Sequence, residues 1–224
     1  RLKKPSTSLA DGNAHDAYDK AAINYLAAYV QDEFRPDDKW LIIPSVRFDH
    51  SDQFSNKLTS NLAATYNAAD DVRVKAVVGQ GYKTPTVNDL YIFWEMYAQN
   101  PGGPGQFYVG NPDLKPEKSL SYELSVEKDW GDRSTVHLGV FRSEVKDLIS
   151  TYWTGKLTDD DQDLYPGVNG DQVMAYKNIP EATLQGVELY GSHRLGKNIY
   201  LNAGYTFLDA KDKTNGTRLK DRAK

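Results

Sequence analysis

About eight times along this chain, apolar residues return at every second position, and nowhere between those runs do they return with the period of a helix. Near the C-terminus Ile199, Leu201, Ala203, Tyr205 and Phe207 share one face, and Asn202, Gly204 and Thr206 share the other. Leu120, Tyr122, Leu124 and Val126 stand against Ser119, Ser121, Glu123, Ser125 and Glu127, and Val72, Val74, Ala76 and Val78 stand against Arg73 and Lys75. Trp40, Ile42, Val46 and Phe48 oppose Ser45, Arg47 and Asp49, with Pro44 restricting the backbone hydrogen bonding of that run. Ile23, Tyr25, Ala27 and Tyr29 form another row, with Leu26 and Val30 as apolar exceptions, and Leu62, Ala64 and Tyr66 continue the series. Val136, Leu138 and Val140 keep the frame until Phe141 and Arg142, where the break predicts a β-bulge. With a further run from about Met174 to Arg194, the pattern predicts an all-β, antiparallel up-and-down meander of about eight strands with no helix between them.

The connections alternate in length. Those at Arg35–Lys39, Ala68–Asp71, Asp129–Arg133 and Leu195–Asn198 are tight and polar, whereas those starting near Asp52, Lys83 and Trp153 include two long excursions. Alternate connections of a meander emerge at the same end, so one end of this sheet is plain and the other carries long loops. Transmembrane β-barrels of the bacterial outer membrane have this asymmetry. A run of about eleven residues at ~3.4 Å each, tilted ~40–45°, rises roughly 25 Å, the height of their apolar band. Trp40, Trp130 and Tyr200 lie close to the tight turns, where an interface girdle of aromatics belongs. Alternation by itself suits a soluble β-sandwich equally well; loop asymmetry and strand length favour the barrel.

Composition narrows the function classes. The longest uninterrupted apolar run, Tyr25 to Val30, is far short of a membrane helix. With no Cys there is no disulfide scaffold, thiolate nucleophile or Cys-ligated metal site. A net charge of -4 argues against a nucleic-acid footprint, and 12% aromatics argue against disorder. Neither a Gly-x-Ser-x-Gly elbow, a His-Glu-x-x-His pair nor a Walker loop is present, and no enzyme is expected. Arg1 to Lys20 has no apolar signal region, and the tail from Lys211 is charged. Both ends look cut from something longer.

Two stretches resemble a known family, the TonB-dependent outer-membrane receptors that import ferric siderophores, haem and related scarce nutrients. One runs from Gly79 to Tyr91, followed after the long connection by Gly110-Asn111-Pro112-Asp113-Leu114-Lys115-Pro116-Glu117 and Ser121-Tyr122-Glu123-Leu124. The other comprises Tyr176-Lys177-Asn178-Ile179, Gly186-Val187-Glu188 and Ala203-Gly204-Tyr205-Thr206. The resemblance implies that the strands are a segment of a transmembrane barrel of about 22 strands, located in the bacterial outer membrane, with a plug inside and energy delivered by TonB. On that reading, residues 1–22 are a polar lead-in belonging to an extracellular loop, 23–210 a partial barrel, and 211–224 the start of a further loop. The resemblance also implies a plug, a TonB-contacting segment and closing strands outside this segment, so that the chain by itself is expected neither to close a barrel nor to transport.

In haem-transporting members, Tyr82-Lys83-Thr84-Pro85 would occupy one family box and Asn111-Pro112-Asp113-Leu114 a second, with an axial His between them. None of His15, His50, His137 and His193 lies in that interval. Tyr91, Tyr97 and Tyr108 remain as alternative axial ligands, and the expected cargo is a ferric siderophore or another iron chelate rather than haem. No resident cofactor or metal is expected. Within Lys83–Lys118 the aromatics Tyr91, Phe93, Trp94, Tyr97, Phe107 and Tyr108 are suited to stack on a flat or catecholate ligand, or else to pack the loop on itself. Pro85, Pro101, Pro104 and Pro112 with Gly102, Gly103 and Gly105 predict a segment without regular secondary structure, suited to act as a lid. The other long loop carries Asp159, Asp160, Asp161, Asp163 and Asp171; Leu164 stands where an EF-hand needs Gly, so a solvated acidic loop, or a divalent contact to lipopolysaccharide, is expected. Arg47, Asp49, Arg73, Lys75, Glu123, Glu127 and Glu188 alternate with the lipid-facing row and would line the lumen. The partners expected are the chelate, outer-membrane lipid and lipopolysaccharide, and TonB through the rest of the parent protein. A passive porin-like channel and a soluble sandwich binding module are the alternatives.

Overall fold

The computed structural model describes residues 22–96, 106–153 and 173–219. The expectations for residues 1–21, for Tyr97, for the turn around Pro101 to Gly105 and for the acidic loop of Asp159 to Asp171 lie outside them. Among the described residues, ten strands and one short helix follow in the order β1 (Tyr25–Gln31), β2 (Trp40–Ser51), β3 (Lys57–Ala69), β4 (Val72–Lys83), α1 (Val87–Tyr91), β5 (Phe93–Met96), β6 (Gln106–Val109), β7 (Glu117–Trp130), β8 (Ser134–Trp153), β9 (Val173–Leu195) and β10 (Ile199–Asp212). The eight long strands are the expected meander. The connection between β4 and β7 departs from expectation: it holds α1 and the two short strands, and β6 runs parallel to β9.

Two compact units result, one containing Tyr25–Lys83, Glu117–Lys146 and the chain from Pro180, the other Thr84–Pro116 and Asp147–Ile179. In the first, the sheet unit, β1 to β4 pair in succession, β4 pairs with β7, β7 with β8, and β9 with β10, all antiparallel. Register lines up the apolar residues across strands. Leu62, Val78 and Tyr122 form one row, Ala64, Ala76, Leu124 and Val140 the next, and Tyr66, Val74, Val126 and Leu138 a third. These rows are not covered by protein: Leu124 is 52% exposed and Leu138 50%. The opposite face carries Lys75, Arg73, Glu123 and Glu127, the positions expected to line a lumen. Tight turns between β7 and β8 and between β9 and β10 need a left-handed residue, which Gly131 (φ 60°) and Gly196 (φ 77°) supply.

The bulge expected at Phe141 and Arg142 is not there. Pairing of β7 with β8 is unbroken from Lys118↔Lys146 to Trp130↔Ser134. Phe141 takes an inward position opposite Glu123, and its ring lies against Gly186, where an added Cβ would come within 2.8 Å of it. The bare glycine backbone accommodates an aromatic in a polar row, so the frame has no need to slip. The register shift falls instead between Asn67 and Ala69. At the plain end Trp40 stacks on Tyr66 with ring centroids 4.7 Å apart, and the Lys128 ammonium sits 6.0 Å from the centre of the Trp130 ring. Tyr200 falls by alternation in the row of Asn202 and Gly204 and receives the Arg194 guanidinium at 5.7 Å.

Candidate functional site

The second unit, built from the β4–β7 connection and the adjoining parts of β8 and β9, is where the sequence-predicted residues gather. Its helix begins because Thr86 and Asp89 satisfy each other's backbone: the Asp89 N–H donates to Thr86 Oγ1 at 3.1 Å, and the Thr86 N–H donates to the Asp89 carboxylate at 2.8 Å. Pro85 precedes it, fully buried, and Leu90 points inward at 2% exposure. The chain then returns so closely over this turn that only glycine fits at Gly110, where an added Cβ would lie 2.5 Å from the main chain of Leu90 and Tyr91. The Gly110 N–H donates to Ile92 O at 2.7 Å and the Asn111 N–H to Asp89 O at 2.8 Å.

Two asparagines tie this excursion down. Asn111 donates through Nδ2 to Tyr176 O at 3.0 Å, and its Oδ1 accepts the Asp113 N–H at 2.9 Å. Asn178 uses the whole amide: Oδ1 accepts the Lys115 N–H at 2.8 Å, and Nδ2 donates to Lys115 O at 3.0 Å and to Asp147 O at 2.7 Å. Asp147 itself adopts a left-handed φ of 57°. All these partners are main-chain atoms, so the bonds fix backbone positions rather than side-chain identities. The buried apolar side chains of the unit, among the described residues, include Leu90, Phe107, Leu114, Leu148, Val173 and Ile179.

The candidate aromatics separate by position. Trp94 stands opposite Tyr108, and Phe93 opposite Val109, in the β5–β6 pair, which continues to Met174 and Ala175 of β9. Phe107 is 5% exposed opposite Val173 and belongs to the interior. Tyr91 and Tyr108 are half-buried. Burial raises the Tyr176 phenol above its ordinary value, and Asp89 and Tyr108 push the same way, so it stays a neutral hydroxyl at physiological pH. The Lys177 ammonium lies 4.7 Å from the centre of the Tyr152 ring. Among the described residues no cluster of three His, Asp or Glu is placed to hold a metal ion.

Of the first family-like box, Tyr82 and Lys83 end β4 in the sheet unit. The Tyr82 hydroxyl donates to Ser55 O at 3.2 Å, and Lys83 pairs with Glu117 at 2.9 Å. Thr84, Pro85 and Thr86 lead into the helix. In the second box Leu114 is buried at 4%, while Pro112 and Asp113 are exposed. The residue that sequence reasoning did not single out is Asn178; its motif was visible, but the three bonds it makes to chain segments 31 and 63 residues away were not. Of the expected lumen charges, Arg73 pairs across strands with Glu127 and, at 2.7 Å, Asp129, and Lys75 with Glu127 at 3.2 Å, while Arg47 pairs with Asp49 on its own strand at 2.8 Å.

A meander that turns its apolar face outward uncovered, keeps ion pairs on the other, and gathers its long connections at one end is the wall of a transmembrane β-barrel. The family described as TonB dependent receptor-like, beta-barrel, matches residues 3–224, and the chain belongs to it. It is an outer-membrane protein of a family made up of receptors and transporters, not enzymes. The chain is 34% identical over 203 residues to the vitamin B12 transporter BtuB of Photobacterium profundum, covering 88% of this chain and 28% of that protein. It is 26% identical to the heme/hemopexin utilization protein C of Haemophilus influenzae, covering 81% and 28%. Among solved structures, the siderophore receptor PirA from Pseudomonas aeruginosa superposes with a TM-score of 0.71 at 19% identity, covering 92% of this chain and 36% of that one. The chain thus spans under a third of the length of the curated relatives it matches.

Proposed function

We propose that this chain is the receptor wall and part of the ligand-capturing mouth of an importer for a ferric siderophore, energised through TonB by parts of the parent protein beyond this segment. The observation that carries the reading is the second unit: a backbone clasped by Asn111 and Asn178 carries the β5–β6 pair, with Tyr91 and Tyr108 half-buried. Aromatic rings on a fixed backbone offer contact area to a catecholate or other flat chelate with few rotamers to freeze. Residues 23–210 then serve as barrel wall against outer-membrane lipid, with 1–22 and 211–224 in extracellular loops. Siderophore is preferred to haem because no His stands between Tyr82 and Leu114.

A corrinoid cargo is the second reading, and the 34% identity to a vitamin B12 transporter favours it. Expressing the complete receptor in iron-starved cells, with and without TonB, and following labelled ferric siderophores, haem and cobalamin separates the readings. TonB-dependent uptake of a siderophore alone is the expected outcome. Uptake of cobalamin alone installs the second reading, and uptake indifferent to TonB returns the protein to the passive-channel class.

A further inference from the structure

Within the sheet unit, β10 runs away from the tight turn at Leu195–Asn198, and just past its far end the chain doubles back on itself. The Asp212 N–H donates to Thr217 O at 2.8 Å, the Leu219 N–H donates to Ala210 O at 3.0 Å, and Lys211 stands opposite Arg218. Residues 213–216 are therefore the tip of a hairpin, and its last residue, Gly216, takes a left-handed φ of 66°. One side chain organises this tip. Asp212 is 7% exposed, and its carboxylate accepts the Thr214 N–H at 2.8 Å and the Asn215 N–H at 3.3 Å on Oδ1, and Asn215 Nδ2 at 2.9 Å on Oδ2.

An asparagine followed by glycine is chemically unstable for a geometric reason. The main-chain nitrogen of the following residue can reach the amide carbon of the asparagine side chain, and only glycine puts no Cβ in the way. Asn215 and Gly216 are both exposed, and a Cβ added at Gly216 would meet nothing within 4 Å. Among the described residues the Gly216 N–H has no hydrogen-bond partner. The nucleophile of the reaction is thus open to solvent, and the restraint falls on its target, whose amide nitrogen is tied to Asp212. Bringing Asn215 Cγ onto the Gly216 nitrogen swings that amide off the carboxylate.

We propose that Asn215 is a site of spontaneous amide loss latched by Asp212, and that its conversion to a carboxylate opens the hairpin at the end of β10. Hydroxide takes the Gly216 N–H proton, and the nitrogen's electron pair attacks Asn215 Cγ. The side-chain nitrogen leaves as ammonia, taking a proton from water and returning the hydroxide, and a cyclic imide closes. Water then adds to either imide carbonyl and breaks its bond to the ring nitrogen, leaving aspartate or, with the main chain rerouted through the side chain, isoaspartate. Asparagine and water have become acid and ammonia, and nothing is oxidised or reduced. In the aspartate product the donor to Asp212 Oδ2 is gone and a second carboxylate faces the first, so attraction turns into repulsion. The site does not depend on which cargo the receptor takes. A hydrogen bond to a charged acceptor holds the amide strongly enough to slow the folded tip roughly tenfold or more against the unfolded chain.

The test incubates the complete receptor, folded in detergent or unfolded in urea, at neutral and at mildly alkaline pH, and follows aspartate and isoaspartate at position 215 by peptide mapping. Asn169-Gly170 is the same dipeptide, lies outside the described residues, and serves as a reference within the same molecule. The unfolded chain is expected to convert at position 215 and to do so faster at the higher pH, and the folded wild type to convert roughly tenfold or more slowly. Folded D212A should approach the unfolded rate at position 215 with Asn169 unchanged. Hydrogen exchange on folded N215D, the aspartate product, should show the Asp212 and Leu219 amides losing the protection they have in the wild type, and heat-modifiable gel migration confirms that every variant is folded. A D212A rate equal to that of the folded wild type, or a folded wild type as fast as the unfolded chain, overturns the latch. N215D with both amides still protected overturns the opening, and an unfolded chain that does not convert at position 215 overturns the site itself.

Discussion

The two units of this chain solve opposite problems with the same alternating strands. In the aromatic unit the large apolar side chains turn inward, with Leu90 and Val173 each at 2% exposure, and the polar side chains are spent on holding main chain. In the sheet unit the apolar side chains turn outward uncovered, as at Leu124, and ion pairs occupy the other face. Burial in the first is against protein, as in any water-soluble domain; in the second the solvent for the apolar rows is lipid. The difference teaches that period-two patterning says which residues share a face and leaves open what that face meets.

The largest effect expected from this contrast is at Leu90. Truncation to Ala leaves a cavity in the aromatic unit and costs about 2–5 kcal/mol there. Hydrogen exchange in the complete receptor should show the α1 amides, including Leu90 N–H to Thr86 O at 3.2 Å, losing protection while the β3–β4 ladder keeps it. Loss of protection in both units alike would break the comparison. Next comes Val126→Arg, which places a charge in the outward rows near mid-height and costs about 2–4 kcal/mol in a bilayer, against about 0–1 for Leu120→Arg near the boundary. Unfolding measured in lipid vesicles checks it; a flat dependence on height would remove lipid as the partner of that face.

How much of this was legible in the sequence follows from the same physics. The meander, its facing residues and its plain end were readable because alternation is a local signal repeated over many residues, and the tight turns carry their own residues, such as Gly131 and Gly196. The short helix was hidden because five residues carry no period, although Thr86 and Asp89 at a spacing of three are a capping signal. The expected bulge failed because Phe141 was read by its apolarity, while its partner Gly186 lies far along the chain. Phe107 could not be told from Tyr108 as interior or accessible without the parallel pairing to β9. Asn178 is the sharpest case, since a polar residue in a recognisable motif says nothing of the backbone atoms it will hold.

That clasp yields the next effect in size. Asn178→Ala leaves the Asp147 and Lys115 carbonyls and the Lys115 N–H without partners, at about 1–3 kcal/mol for each group that stays buried. Asn178→Asp keeps the acceptor to the Lys115 N–H but has no donor for the two carbonyls, so it should resemble Ala rather than the wild type. Since the chain has no Cys, spin labels can be introduced cleanly at Asp113 and Lys177. The interlabel distance distribution should broaden in both variants, and an Asp variant as narrow as wild type would show that the amide donors do not hold the segment.

The smallest effect is expected at Lys83 and Glu117, which face each other at the two ends of the β4–β7 excursion, 2.9 Å apart. A pair in this position looks like a latch, and Lys83 stands in a family-like motif. The energetics argue otherwise. The Lys83 side chain is 61% exposed, so water screens the attraction and the long side chain gives up rotamer freedom to make it. Lys83→Gln should therefore change stability by less than about 1 kcal/mol, because the ammonium lies in water although the Glu117 side chain is only 14% exposed, and by still less in high salt. The excursion's ends are already held by the Lys83↔Glu117 register of the backbone and by the helix cap at Thr86, neither of which needs the ammonium. Unfolding of Lys83→Gln in lipid vesicles at low and high salt measures this. A loss of several kcal/mol that persists in salt would mean that the base of the excursion is dry, and would move Lys83 from the exposed wall into the interior of the aromatic unit.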